Sequence, residues 1–275
     1  LAPVELSLPL ASFRIKRLLN DREGQLWILS DRGAVLSANL QVLPFQKTSD
    51  AVQAVCADRS GTIWAGTQHG LLFQNGNGWN TAPTGKLNII SLEEGIDGTL
   101  WAGTFGEGIY LLDHQGNVQK HLSVQQGLPN GSILSMAAQG DKMWVSTLGG
   151  VVYVDGTTFQ VTDLAQMSGV AEAAKYYVYK IFADSKGRVW LCTDGHGLCM
   201  LSEGTLKCFE NTEVGPLKTI YAITEDQTGT VWFSGDHTSL LSWDGQKFRR
   251  YTTKDHLHSN QINSLSITGH GQLII

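Results

Sequence analysis

A short string, Gly-x-aliphatic-Trp, recurs along the whole of this 275-residue chain. It appears as Gly24-Gln25-Leu26-Trp27, Gly61-Thr62-Ile63-Trp64, Gly98-Thr99-Leu100-Trp101, Gly187-Arg188-Val189-Trp190 and Gly229-Thr230-Val231-Trp232. Asp141-Lys142-Met143-Trp144 is a variant without the glycine, and Gly271-Gln272-Leu273-Ile274 carries isoleucine in the tryptophan slot. Trp-to-Trp spacings are 37, 37, 43, 46 and 42 residues, with the isoleucine copy 42 further on. Hits held in register at this period identify a repeat architecture before any residue-level detail is weighed.

Each unit has the same internal order. A β-rich run comes first (Val52–Ala57, 88–92, 177–183, 220–224), then an Asp-x-x-Gly turn in four copies: Asp21–Gly24, Asp58–Gly61, Asp184–Gly187 and Asp226–Gly229. Aspartate at the first position and glycine at the fourth is the type I turn preference. The tryptophan strand follows, then a glycine-bearing loop, a third strand (71–74, 109–113, 198–202, 240–243) and a fourth (Val118–Leu122, 158–161, 206–209, 247–252). Four short strands and their turns need roughly 40 residues, and such a unit repeated radially is a β-propeller blade. Strands such as Ile63-Trp64-Ala65-Gly66 are apolar on both alternating faces. They must be covered on both sides, as a blade between two others is, so the tryptophans read as inter-blade core and not as a ligand cage. The fold class expected is all-β: a β-propeller of four-stranded antiparallel blades, seven-bladed, with the last blade incomplete. Residues 1–275 form a single propeller whose repeats are marked by Trp27, Trp64, Trp101, Trp144, Trp190, Trp232 and a partial seventh at Ile274. Val4–Leu10 is placed to close the ring with an outer strand.

Composition agrees with short buried strands and tight turns. Charged residues are 16% of the chain and glycines 31 of 275, against about 25% and about 7% in ordinary domains. With Lys+Arg 20, Asp+Glu 25 and no basic run, the phosphate-neutralising footprint of a nucleic-acid binder is missing. No stretch approaches the roughly 18 apolar residues of a membrane span. Opening at Leu1 without a basic n-region and apolar h-region, the chain reads as a mature or excised piece. The cysteines Cys56, Cys192, Cys199 and Cys208 match no zinc spacing and read first as small buried hydrophobes. A bridge between Cys199 and Cys208 on neighbouring strands is open to the chain in an oxidising compartment.

The run Gly127-Leu128-Pro129-Asn130-Gly131-Ser132-Ile133 and the Asp-x-x-Gly-x-aliphatic-Trp-x-Gly/Cys-Thr…Gly-Leu core resemble the two-component regulator propeller repeat. Thr67, Thr104 and Thr193 stand in its threonine slot, and Leu71, Ile109 and Leu198 in the aliphatic slot after glycine. Repeat four departs in lacking the turn aspartate and glycine, repeat six in having Gly235 in the threonine slot, and repeat seven in lacking its tryptophan. The resemblance implies the extracytoplasmic, periplasmic sensor region of a membrane-anchored bacterial hybrid histidine kinase, or sometimes of a diguanylate cyclase. It also implies an oligosaccharide ligand, neighbouring propeller and β-sandwich domains in the same receptor, and a homodimer of the whole.

No nucleophile elbow, zinc helix or P-loop is present. Gly103–Gly108 is glycine-rich but links two strands, so it is no phosphate cradle. His256-Leu257-His258 with Asp255 beside it is the nearest approach to a metal pattern, and reads better as a solvated loop. No catalytic residue, metal or cofactor is expected, and the rival readings are a propeller enzyme of lyase or lactonase type and a pure protein-docking scaffold. Loops carry function where the scaffold packs, so the candidate ligand-binding residues are those on the rim bearing the loops after the tryptophan strands and the crossovers between blades. They are His69, Phe105, Glu107, Tyr176, Asp194, His196 and His237, with Leu148 and Asp236 on the same rim. The longest crossover, 162–176, is expected to make a helical turn in its middle.

Overall fold

The tryptophan of each repeat lies on the second strand of a four-stranded antiparallel sheet. The computed structural model describes residues 15–20, 26–30, 33–38, 41–44, 51–75, 78–167, 170–236, 238–268 and 271–275. Among these the strands form six four-stranded sheets, the blades, and two two-stranded ones. Blades 1 to 6 begin with the inner strands Ile15–Asn20, Val52–Ala57, Ile89–Glu94, Ile133–Gln139, Val178–Ala183 and Ile220–Glu225. Blade 7 is the hairpin Ser266–Ile267 with Leu273–Ile274, closed by a Gly271 N–H to Thr268 carbonyl bond of 2.8 Å. Successive inner strands touch one another, and Ser266–Ile267 touches both Ile220–Glu225 and Ile15–Asn20, so the seven close into a ring. The expected strand at Val4–Leu10 and the Asp21–Gly24 turn lie outside the described residues.

The turn aspartates do more than the turn preference requires. The Asp58 carbonyl accepts the Gly61 N–H at 3.0 Å, its Oδ1 accepts the Ser60 and Thr62 N–H groups, and its Oδ2 accepts the Trp64 indole at 2.8 Å. Asp184 holds Trp190, and Asp226 holds Trp232, in the same way, each at 2.7 Å. Blade 4, which lacks the aspartate, supplies Gln139 Oε1 to the Trp144 indole at 3.0 Å instead. A buried indole N–H needs such an acceptor. With it satisfied, the ring packs forward onto the next blade. Trp27 meets Val52 and Ala65, Trp64 meets Ile89 and Leu100, and Trp101 meets Ile133 and Val145. Trp144 meets Val178 and Leu191, Trp190 meets Ile220 and Phe233, and Trp232 meets Ile262 and Leu265. The core is therefore a series of interfaces between neighbouring blades.

Two local readings need correction. The outer strand of blade 4 is Val161–Asp163, not 158–161. Asp155 Oδ1 gathers the Thr157 and Thr158 amides and Phe159 takes φ 60°, so the turn consumes residues that β-propensity assigned to the strand. Two of the four cysteines are not simple hydrophobes: Cys199 and Cys208 face each other across adjacent strands and form a disulfide, while Cys56 and Cys192 are free thiols. The crossover after blade 4 makes the expected helical turn, the 3-10 turn Leu164–Gln166 capped by Asp163, and a second one, Ala171–Lys175. Leu164, Val170 and Ala173 are buried against Trp144, which anchors the crossover between blades 4 and 5.

Candidate functional site

The repeat threonine builds the rim. Thr67, Thr104, Thr147 and Thr193 end the second strands of blades 2 to 5, and each donates its hydroxyl to the carbonyl of the glycine that opens or precedes the third strand: Gly70, Gly108, Gly150 and Gly197, at 2.8–2.9 Å. The same oxygens accept the backbone N–H of His69, Glu107, Gly149 and His196 at 3.0–3.1 Å. Three of the expected ligand-binding residues are thus fixed by one hydroxyl in each blade. Blade 6 has Gly235 in that slot because the Thr219 carbonyl would lie 1.8 Å from a Cβ there. Thr238 supplies the hydroxyl from the other end of the loop, accepting the Gly235 N–H at 2.7 Å.

The residue directly after the threonine slot is held closer to the axis. The N–H groups of Phe105, Leu148, Asp194 and Asp236 donate to the carbonyls of Asn88, Ser132, Tyr177 and Thr219, which lead into the inner strand of the same blade. Every described inner strand of a complete blade has a bulge at its second residue. The extra residues are Lys16, Gln53, Ile90, Leu134, Tyr179 and Tyr221. A bulge re-aims one side chain while pairing resumes beyond it. Neighbouring blades meet at this level: the Gln53 side chain bonds that of Asn88 at 2.6 Å, and the Tyr179 and Tyr221 rings are 5.6 Å apart.

The mouth of the ring is consequently two-sided. On blades 3 and 4 it presents Phe105, 55% exposed, and Leu148, 43% exposed. On blades 5 and 6 it presents Tyr177, Tyr179 and Tyr221, with ring centroids 4.8 and 5.6 Å apart. Asp194 accepts a hydrogen bond from Thr219 Oγ1 at 2.9 Å and lies beside the Tyr179 phenol, while Asp236 lies beside the Tyr221 phenol. Partial burial, then the Asp194 charge, push the Tyr179 phenol upward; partial burial, then Asp236, do the same to Tyr221. Both phenols stay protonated donors in neutral solution. Outside this row the Tyr176 and His196 rings stack at 3.9 Å and 13°, and His196 Nδ1 meets Glu210 Oε1 at 3.1 Å.

Of the expected site residues, Tyr176, Asp194 and His196 come together on blade 5. Phe105 and Glu107 stand on blade 3, two blades away, and His69 on blade 2, three away; His237 lies outside the described residues. Tyr179 and Tyr221 were not expected in the site. The His256-Leu257-His258 segment is a loop device: His256 takes φ 69° as the C-cap of the 3-10 turn Thr253–Asp255, and the Asp255 carboxylate is bonded to the Thr252 N–H at 2.9 Å. Flat rings, carboxylates and an imidazole on one mouth can stack on the faces of a ligand and hydrogen-bond its hydroxyl or amine groups.

No protein-family model matches the chain, and no curated protein does. Solved structures do match. Over 98% of its length the chain is similar to the extracellular domain of BT3049, a candidate hybrid two-component system of B. thetaiotaomicron, with 22% identity and a TM-score of 0.81. It spans 38% of that chain. A catalytically inactive variant of virginiamycin B lyase from Staphylococcus aureus matches over 98% of this chain and 97% of its own, at 13% identity and TM-score 0.75. PorZ, a surface component of the Porphyromonas gingivalis type-IX secretion system, matches 91% of this chain and 43% of its own, at 18% identity and TM-score 0.68. With the ring of inner strands, these likenesses define the chain as a β-propeller.

Proposed function

We propose that this chain is a non-catalytic sensory propeller, one unit of the extracytoplasmic, periplasmic region of a membrane-anchored bacterial two-component receptor, and that it binds a carbohydrate at its mouth. The observation that carries the reading is the concentration of accessible rings and hydrogen-bonding groups on a single rim, at Tyr176, Tyr177, Tyr179, Asp194, His196 and Tyr221, with His196 held by the repeat threonine Thr193. Likeness to the extracellular domains of two candidate two-component systems supports the sensory role. The Cys199–Cys208 disulfide suits an oxidising compartment. The chain spans under two-fifths of those domains, so in this reading it works beside further propeller and β-sandwich domains, in a homodimeric receptor. Ligand bound at the mouth biases signalling only to the extent that it binds one receptor state better than the other.

A glycan-fragment library screened by thermal shift tests the reading. The expected result is a rise in melting temperature with one fragment class, lost in the Phe105→Ala and His196→Ala double variant. A library that produces no shift contradicts direct carbohydrate sensing by this propeller.

A further inference from the structure

Tyr177, Tyr179 and Tyr221 form a row across blades 5 and 6, their successive planes inclined at 69° and 73°. In such edge-to-face contacts the positive edge of one ring rests on the negative face of the next, and the open corner beside the contact leaves part of both π faces available to a cation. The three are 40%, 37% and 37% exposed, so core packing does not account for them. Two carboxylates stand beside the row: Asp194, which accepts from Thr219 Oγ1 at 2.9 Å and lies close to Tyr179, and Asp236, which lies close to Tyr221. Among the described residues neither carboxylate has an ion-pair partner. A neutral ligand lying over this corner would desolvate both charges without compensating either, which is costly. A cation would compensate both. The other half of the mouth exposes Phe105 and Leu148, an apolar surface for the remainder of the ligand.

We propose that the blade 5–6 side of the mouth is a cation cage: it takes an organic ammonium group of the ligand against the faces of Tyr177, Tyr179 and Tyr221, with Asp194 and Asp236 as its counter-charge. This rests on the mouth being the ligand site and is independent of the ligand being a glycan. An amino sugar satisfies both readings; a choline-like ligand satisfies only this one.

Isothermal titration of the full chain tests the cage with matched pairs: glucosamine against glucose, and choline against its uncharged carbon isostere 3,3-dimethylbutanol. The cage predicts that at least one cation binds about tenfold or more tightly than its neutral partner, and that the preference shrinks as salt rises from about 50 to about 500 mM. It also predicts that Tyr221→Leu and the Asp194→Asn, Asp236→Asn pair each abolish the preference while circular dichroism and melting stay close to the parent. Equal binding of charged and neutral partners, no binding of either cation, or a preference that survives both variants overturns the cage. Neutral glycans that bind without any cation preference overturn it while leaving the carbohydrate reading intact. Cations that bind while every neutral glycan fails uphold the cage and overturn the carbohydrate reading.

Discussion

Thr193 illustrates how a single side chain connects the repeat to the rim. Its hydroxyl is fully buried, donates to the Gly197 carbonyl and accepts the His196 amide. Replacing it by valine keeps the shape but removes the donor to Gly197 and leaves the half-buried His196 N–H without its acceptor, which costs about 1 kcal/mol. Thr193→Val is therefore expected to lower the melting temperature and loosen the His196 loop, and Thr193→Ser to restore both; chemical denaturation measures the first. Asp58 and Asp226 have a comparable double use. Burial alone would raise their carboxyls, yet hydrogen bonds from Ser60 and Trp64, and from Thr228 and Trp232, outweigh it and hold both below the ordinary aspartate value of 3.8. A lowered folded value means stability that is present above the unfolded value and lost as pH falls through the folded one. The protein is expected to lose stability on acidification below about pH 4, and Asp58→Asn to flatten that dependence, as melting curves across pH will record. The turn role of these aspartates was legible in the sequence from the Asp-x-x-Gly spacing. Their bond to a tryptophan six residues on was not, because the two groups meet only once the hairpin has closed.

At the scale of the element, the bulge decides what the site contains. Strict alternation along residues 177–183 would put Tyr179 on one face with Ile181. The register instead pairs Val178 with Thr193 and Lys180 with Cys192, leaving Tyr179 out of the ladder, so it turns to the mouth while Ile181 stays in the core. Tyr221 is displaced in the same way between Ile220 and Ala222. A period-two reading carries no sign of an inserted residue, which is why Asp194 and His196, on a legible glycine loop, were expected in the site and these two tyrosines were not. A second element repeats more faithfully than its sequence shows. Ser123 and Gln126 form a capping box before Gly127, as Thr252 and Asp255 do before His256. His256 thus sits where Gly127 sits, in the left-handed region that costs a non-glycine residue about 1–2 kcal/mol. His256→Gly is expected to raise stability by up to about 1 kcal/mol after the added chain entropy is offset. Gly127→Ala, at φ 101°, is expected to lower it. Urea titration of both variants checks the opposite signs.

Across the whole molecule, stability is distributed over interfaces that each join one blade to the next. Trp190 is fully buried with Phe209 and Trp243 about it, at 5.2 Å from the latter. Trp190→Ala is expected to cost about 3–5 kcal/mol, whereas Ile274→Ala, at the half-buried equivalent in blade 7, should cost nearer 1 kcal/mol; differential scanning calorimetry separates the two. The same ring places the described loops after the tryptophan strands, and the starts of the described inner strands, at one mouth. The central claim is that ligand binds there. Hydrogen–deuterium exchange with a ligand found by thermal shift tests it most directly. The account predicts added protection in residues 176–179, 193–197 and 219–221, with the turns at 58–61, 184–187 and 226–229 on the opposite rim unchanged. Protection confined to those turns or to the outer strands would contradict it.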